Sequence, residues 1–272
     1  MNQAKYWRKA APHSGEVLLT GGWKDYPATR MFDNLYFIGN DAMACYLLKT
    51  SEGLVLLDCM DRGFFQYIDD SIRSLAFNPA DLKAILITHG HGDHYGDANL
   101  FREKYGTKLY MSKVDEDVAR DPSIPRPPHR PGLDYAMDGH ISEGVDFVLG
   151  DTRVQFADTP GHTPGCISMI ITAYDEGRPV KLAMWGGTGS PRDYNQRPIQ
   201  LQSCDRFTAR CIQEGVTGEI SNHPFTNNTI QRLEVLRNIV DGVSHPFITG
   251  FEGVYRMMLM YRGMYVKSLE EK

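Results

Sequence analysis

The stretch "ITHGHGDHYGDANL", residues 87–100, gathers three of the chain's nine histidines, His89, His91 and His94, with Asp93 between the last two. An apolar run, "KAILI", leads into it. Gly90 and Gly92 relax the backbone, so successive side chains can turn toward one point. Neutral imidazoles and a carboxylate suit a borderline-soft divalent cation, zinc above all. His-x-His-x-Asp-His at the end of an apolar strand therefore reads as a metal-binding loop rather than a solvated polar one. Four donors do not fill two sites, so further donors are expected downstream. "ADTPGHTPGCIS" holds His162 between two Pro-Gly pairs that fix a sharp turn. "GEISNHPF" presents His223 at the end of a short segment. Alone, either would be an ordinary loop histidine; beside the first motif each becomes a candidate ligand. The other four, His13, His129, His140 and His245, read as surface-loop residues.

The elements that must position these donors follow from periodicity. "NLYFIG", "ACYLLKT" and "GLVLLDCM" are short apolar or alternating runs separated by turn residues, which predicts consecutive strands. In residues 63–77, Phe65, Ile68, Ile72 and Leu75 fall at helical spacing. "KAILITH" is a fourth strand, and the histidine loop leaves it. "DANLFREKYG" predicts a helix stopped by Gly106, followed by the strand "TKLYMS". "ARDPSIPRPPHRPGLDY" carries five prolines in seventeen residues, a semi-rigid surface loop able to overhang a site. "DFVLG", "TRVQFADT", "CISMIITAY" and "KLAMWGG" are four more strands. "CDRFTARCIQEG", "NTIQRLEVLRNIV" and the C-terminal "GVYRMMLMYRGMYVKSLEEK" are helical. Two similar β-rich halves with helices predict an α/β fold in four layers, two sheets face to face with helices outside, an αβ/βα sandwich. Residues 1–30 look like an irregular N-terminal extension, and residues 31–272 like one domain.

Composition narrows the class. The 272 residues are 42% hydrophobic and 23% charged, with a formal net charge of -5. That is ordinary for a globular protein with a large core, and a mildly acidic chain has no general attraction to nucleic acid or anionic membrane. A small-molecule substrate is the expected partner. No apolar run is long enough for a signal peptide or a membrane span. A cytoplasmic location is expected if residue 1 is the native start, a periplasmic or secreted one if a leader precedes it. Five cysteines without a C-x-x-C pair argue against a disulfide framework or zinc knuckle, leaving mostly buried free thiols. Trp23, Met43 and Trp185 are expected to pack rather than to line a pocket.

From about Leu35 to about Pro224, "GLVLLD", "LITHGHGDH" and "TPGHTPG" together resemble the metallo-β-lactamase superfamily. The resemblance implies the αβ/βα sandwich and two zinc ions per chain. It implies His89, His91 and His162 on the first ion and Asp93, His94 and His223 on the second. Asp58, which ends "VLLD", matches a position that orients ligands without binding metal. Many lactonases and glyoxalase-II-like thioesterases of the superfamily carry a bridging aspartate where this chain has Gly187, in "WGGTGSP". True metallo-β-lactamases lack that aspartate. Their third subclass is similar to this chain in "GNDAMACYLL", "GRPVKLAMWGG" and "SNHP". Serines common after the "GG" position are replaced here by Gly187 and Gly189. The resemblance thus implies a dinuclear zinc hydrolase in which hydroxide carried by the metals opens a cyclic amide of β-lactam type, as in antibiotic resistance. In it Asp93 both binds metal and orients the nucleophile. A zinc lactonase or thioesterase, and a non-enzymatic metal-binding relic, are the alternatives.

Overall fold

A computed structural model describes residues 23–126, 128 and 130–270. His13, His129 and residues 1–22 of the expected extension lie outside the described residues. The first half builds a seven-stranded sheet from β1 (Asp25–Arg30), β2 (Leu35–Asn40), β3 (Ala44–Thr50), β4 (Gly53–Leu57), β5 (Leu82–Leu86), β6 (Lys108–Met111) and β7 (Gly139–His140), in that spatial order. Pairing is antiparallel from β1 to β4 and parallel from β4 to β7. The second half builds a five-stranded sheet from β8 (Phe147–Leu149), β9 (Thr152–Asp158), β10 (Ile167–Asp175), β11 (Arg178–Met184) and β12 (Gly218–Ile220), ordered β12-β11-β10-β9-β8.

The period of two along the strands explains why the sheets stack. In β3, Tyr46 and Leu48 point into a core shared by both sheets, where they join Val55, Leu57, Phe156, Met169, Ile171 and Leu182. The alternate residues Cys45 and Leu47 point the other way, under α1 (Phe65–Ser74) and α3 (Ala98–Tyr105). With both faces covered, the strands read as nearly continuous apolar runs. On the far side, Ile170, Ala183 and Trp185 pack beneath α5 (Gln196–Gln213) and α7 (Gly250–Glu270). Helix, sheet, sheet, helix is the expected four-layer αβ/βα sandwich. α6 (Thr229–Arg237) contributes Leu233 and Leu236 to the inter-sheet core. Burial of each such side chain contributes about 1.5–3 kcal/mol.

Several elements differ from expectation. Residues 25–30 form an edge strand instead of irregular chain, because β1 pairs with β2 and buries Ala28 and Thr29. Periodicity does not predict α4 (Lys113–Arg120), since eight residues with five charges give little apolar pattern. Its signal is the cap: Ser112 Oγ accepts from the Asp115 N–H at 3.1 Å. α3 ends as expected at Gly106, whose φ of 73° closes the helix in the left-handed region. All five cysteines are free and buried. Met43 and Trp185 are packed inside, while Trp23 is exposed. His245 is not a surface-loop residue. It is buried, stacked on Phe32 at 4.3 Å, and donates from Nε2 to the Met31 carbonyl. His140 is exposed and paired through Nε2 with Glu116 at 2.6 Å. No helix among the described residues is long and apolar enough to cross a membrane.

Candidate metal centre

The parallel strand β5 delivers the histidine loop, which turns into a single helical turn, α2 (Gly92–Tyr95). β4 ends beside it at Asp58. His162 arrives from the β9–β10 loop of the other sheet, and His223 follows β12. Residues distant in sequence thus meet at one end of the sandwich. They form two groups, His89, His91 and His162, and Asp93, His94 and His223, in each of which the donor atoms lie within 4.8 Å of one another. In the first group the rings stand 4.9, 4.6 and 4.7 Å apart, nearly perpendicular in each pair. The groups share a wall, since the His89 and His94 rings are 3.9 Å apart. All six candidate ligands are therefore brought together.

One nitrogen of four rings is anchored, which aims the other inward. His89 Nδ1 meets Thr88 Oγ1 at 3.1 Å, and His94 Nδ1 meets Asp58 Oδ2 at 2.7 Å. His162 Nδ1 donates to the Gly189 carbonyl at 2.7 Å, and His223 Nδ1 to the Ala42 carbonyl at 2.9 Å. His89 Nε2 and His94 Nε2 are buried without a hydrogen-bond partner. Buried polar atoms rarely stay unpaired, and two lone pairs aimed into one donor cluster are the arrangement a cation requires. The residues fit a metal.

Electrostatics agree. Burial pushes the His89 imidazole well below its ordinary range and that of His162 to about 3, so both are neutral bases at neutral pH. Burial also works against protonated His94, but the Asp58 and Asp93 carboxylates together outweigh it and raise the ring. For Asp93, burial favours the neutral acid, yet His94 and Arg130 pull the carboxyl down to about 2. Asp58 is fully buried, at a φ of 59°. It accepts from the Thr88 N–H at 2.7 Å and from Asn222 Nδ2 at 3.2 Å. It thus sits beneath His94, in contact with the ring at Nδ1.

Sequence reasoning missed several participants. Arg130, from the proline-rich stretch, reaches Asp61 at 2.8 Å and Asp93 at 3.4 Å, so its side chain lies against the second donor group. Asn222 ties Asp58 to the Gly186 carbonyl. Phe225 stands 65% exposed with its ring 5.5 Å from that of His223. One arginine of three in the proline-rich stretch and a phenylalanine after "HP" give no pattern to read. The glycines also play a different part from the one expected. Neither Gly90 nor Gly92 has a positive φ; each allows close approach instead. A Cβ at Gly92 would meet the Arg130 side chain at 3.0 Å. Gly187 abuts the first donor group: its Cβ would stand 2.4 Å from His162 Cβ.

Known proteins agree with this architecture. BJP-1, a subclass B3 metallo-beta-lactamase of Bradyrhizobium japonicum, superposes with a TM-score of 0.78, covering 91% of this chain and 94% of that one at 24% identity, a likeness of fold. Among curated proteins, the probable metallo-hydrolase YqgX of Bacillus subtilis is 25% identical over 170 residues, 61% of this chain and 74% of its own length. An N-acyl homoserine lactonase of a Bacillus species is 27% identical over 164 residues, 52% of this chain and 62% of its own length. The chain spans about half the length of several other curated relatives it matches. The sequence profile of the Metallo-beta-lactamase superfamily matches residues 39–174, the stretch from β2 to β10 that carries Asp58, the histidine loop and His162. That profile match, which covers half of the chain, shows that the chain belongs to the metallo-beta-lactamase superfamily, a superfamily of metallo-hydrolases.

Proposed function

We propose that residues 31–272 act as one zinc hydrolase unit that opens a strained cyclic amide of the β-lactam type. The observation that carries this reading is the pair of donor groups sharing the His89–His94 wall, with no carboxylate bridging them at Gly187. His89, His91 and His162 would hold one zinc ion, and Asp93, His94 and His223 the other. Bound there, the two ions would supply an activated water at neutral pH and polarise the substrate carbonyl.

The chain's own residues do the rest. Asp93 stays a carboxylate, holds its own donor group and orients the attacking water, with Arg130 steadying one oxygen. Asp58 fixes the His94 tautomer, so its Nε2 faces the site. Phe225 offers an apolar shelf beside His223 for the part of the substrate not being cut. The net charge of -5 supports a small molecule rather than a nucleic acid.

A second reading, the same machinery cutting a lactone, is favoured by the likeness to a homoserine lactonase. A hydrolysis panel of β-lactams, homoserine lactones and glutathione thioesters on zinc-loaded protein, with zinc counted by elemental analysis, separates the two. β-Lactam turnover that stops on chelation and returns with zinc is the expected result. Efficient lactone cleavage with every β-lactam left intact moves the assignment to the second reading. Protein without bound zinc overturns both.

A further inference from the structure

We propose that Asp115 is a positioning residue that sets the spacing of His89, His91 and His162. The proposal rests on the reading of that trio as a metal site. Asp115 lies in the first turn of α4 and is fully buried. Among the described residues no Lys or Arg nitrogen lies within ion-pair distance of it. A carboxylate stripped of water is costly unless donors replace the water. Three do so here. Oδ2 accepts from the Gly90 N–H at 2.7 Å and from Thr163 Oγ1 at 2.6 Å. Oδ1 accepts from the Gly165 N–H at 2.7 Å.

The identity of these donors gives the carboxylate its role. Gly90 sits between His89 and His91. Thr163 follows His162, and Gly165 closes the same turn. One side chain therefore ties the loop that follows β5 in the seven-stranded sheet to the β9–β10 loop of the five-stranded one, and each of those loops carries ligands of the same trio. The contact is at backbone level. A Cβ on Gly165 would stand 2.3 Å from Ser112 Oγ and 2.6 Å from the Asp115 nitrogen, and one on Gly90 3.0 Å from the Asp115 carbonyl oxygen. Neither loop can approach the start of α4 more closely, and the carboxylate keeps each from drifting away from it. The other trio is held by different anchors: Asp58 on His94, the Ala42 carbonyl on His223, and Arg130 on Asp93. Loss of Asp115 should therefore affect one trio and spare the other.

Asp115→Asn keeps the volume but turns one acceptor into a donor, which must face an N–H or a hydroxyl already donating. Cobalt(II) titration of the full chain, followed by its visible absorption, reads the effect on each trio separately. His223→Ala isolates the first trio and His91→Ala the second. In the His223→Ala background, Asp115→Asn should weaken cobalt binding roughly 10–100-fold, the usual cost of losing a group that orients ligands. In the His91→Ala background the affinity should stay within about threefold. Should Asp115→Asn fail to fold, Thr163→Val removes a single hydrogen bond and should weaken the first trio alone by a few-fold. Equal losses in the two backgrounds would mean a general stability role and overturn the proposal, as would unchanged affinity of the first trio. If His223→Ala protein binds no cobalt even with Asp115 intact, the metal-site reading itself has failed.

Discussion

Replacement of Gly187 by alanine adds one methyl group and should cost most of the activity. The added Cβ would lie 2.4 Å from His162 Cβ and 2.8 Å from its Cγ. Non-bonded carbons rest at about 3.5–4.0 Å, so the shortfall is about 1.1 Å or more. Residue 187 is poorly placed to yield. Its carbonyl accepts from Gln200 Nε2 at 3.0 Å and from the Tyr265 hydroxyl at 3.1 Å, and Cys166 Sγ would crowd the new methyl at 3.1 Å. His162 must move instead. Metal–ligand distances hold to about 0.2 Å, so a shift of that size breaks the coordination His162 would make. A displacement of about 1 Å costs a rate factor of about 100, or about 2.7 kcal/mol of barrier. Gly189→Ala is the control, since its Cβ would sit 3.3 Å from His162 Cε1, a gap that a few tenths of an ångström relieves. Zinc content by elemental analysis and kcat/KM on the best substrate should both fall for Gly187→Ala and change little for Gly189→Ala. A Gly187→Ala enzyme with full zinc and a rate within about twofold of wild type would refute the steric argument.

Three further outcomes follow from the site. Asp93→Asn keeps the size and removes the charge that holds its donor group, so hydrolysis should fall by a factor of roughly 100, measured as kcat on zinc-saturated protein; a near-normal kcat would remove Asp93 from the chemistry. Arg130→Gln unties the proline-rich loop from Asp61 and Asp93, and kcat should drop about 10-fold while the first trio keeps its affinity for cobalt; loss at the first trio instead would place Arg130's effect elsewhere. Phe225→Ala removes the apolar shelf without touching a donor atom, so KM should rise about 10-fold for substrates with aryl side chains at constant kcat; a KM that ignores the side chain would exclude contact with Phe225.

Much of this protein is written in local pattern. Alternation locates β9, where buried Val154 and Phe156 alternate with Arg153 and Gln155, and apolar runs locate β3 and β10, because strands covered on both faces carry few polar residues. The loop after β5 is legible because His-x-His-x-Asp-His concentrates ligand chemistry in six residues. His162 and His223 are legible only in its company, since nothing local marks a single histidine. The same logic misplaces His245, a lone histidine that the fold buries against Phe32. Short elements escape for a related reason: β1 is an edge strand defined by its neighbour, and α4 is eight residues with few apolar ones. The tertiary structure alone decides which side chains converge from separate loops. Arg130 on Asp93, Asn222 beneath Asp58, and Asp115 between Gly90 and Gly165 are partners 37, 164, 25 and 50 residues apart in the chain. It also decides why Gly187 is glycine. Residue types and spacing determine which ions this chain can attract; how two sheets bring their loop ends within hydrogen-bonding distance determines where those ions would sit, because that geometry comes from packing both sheets on one core.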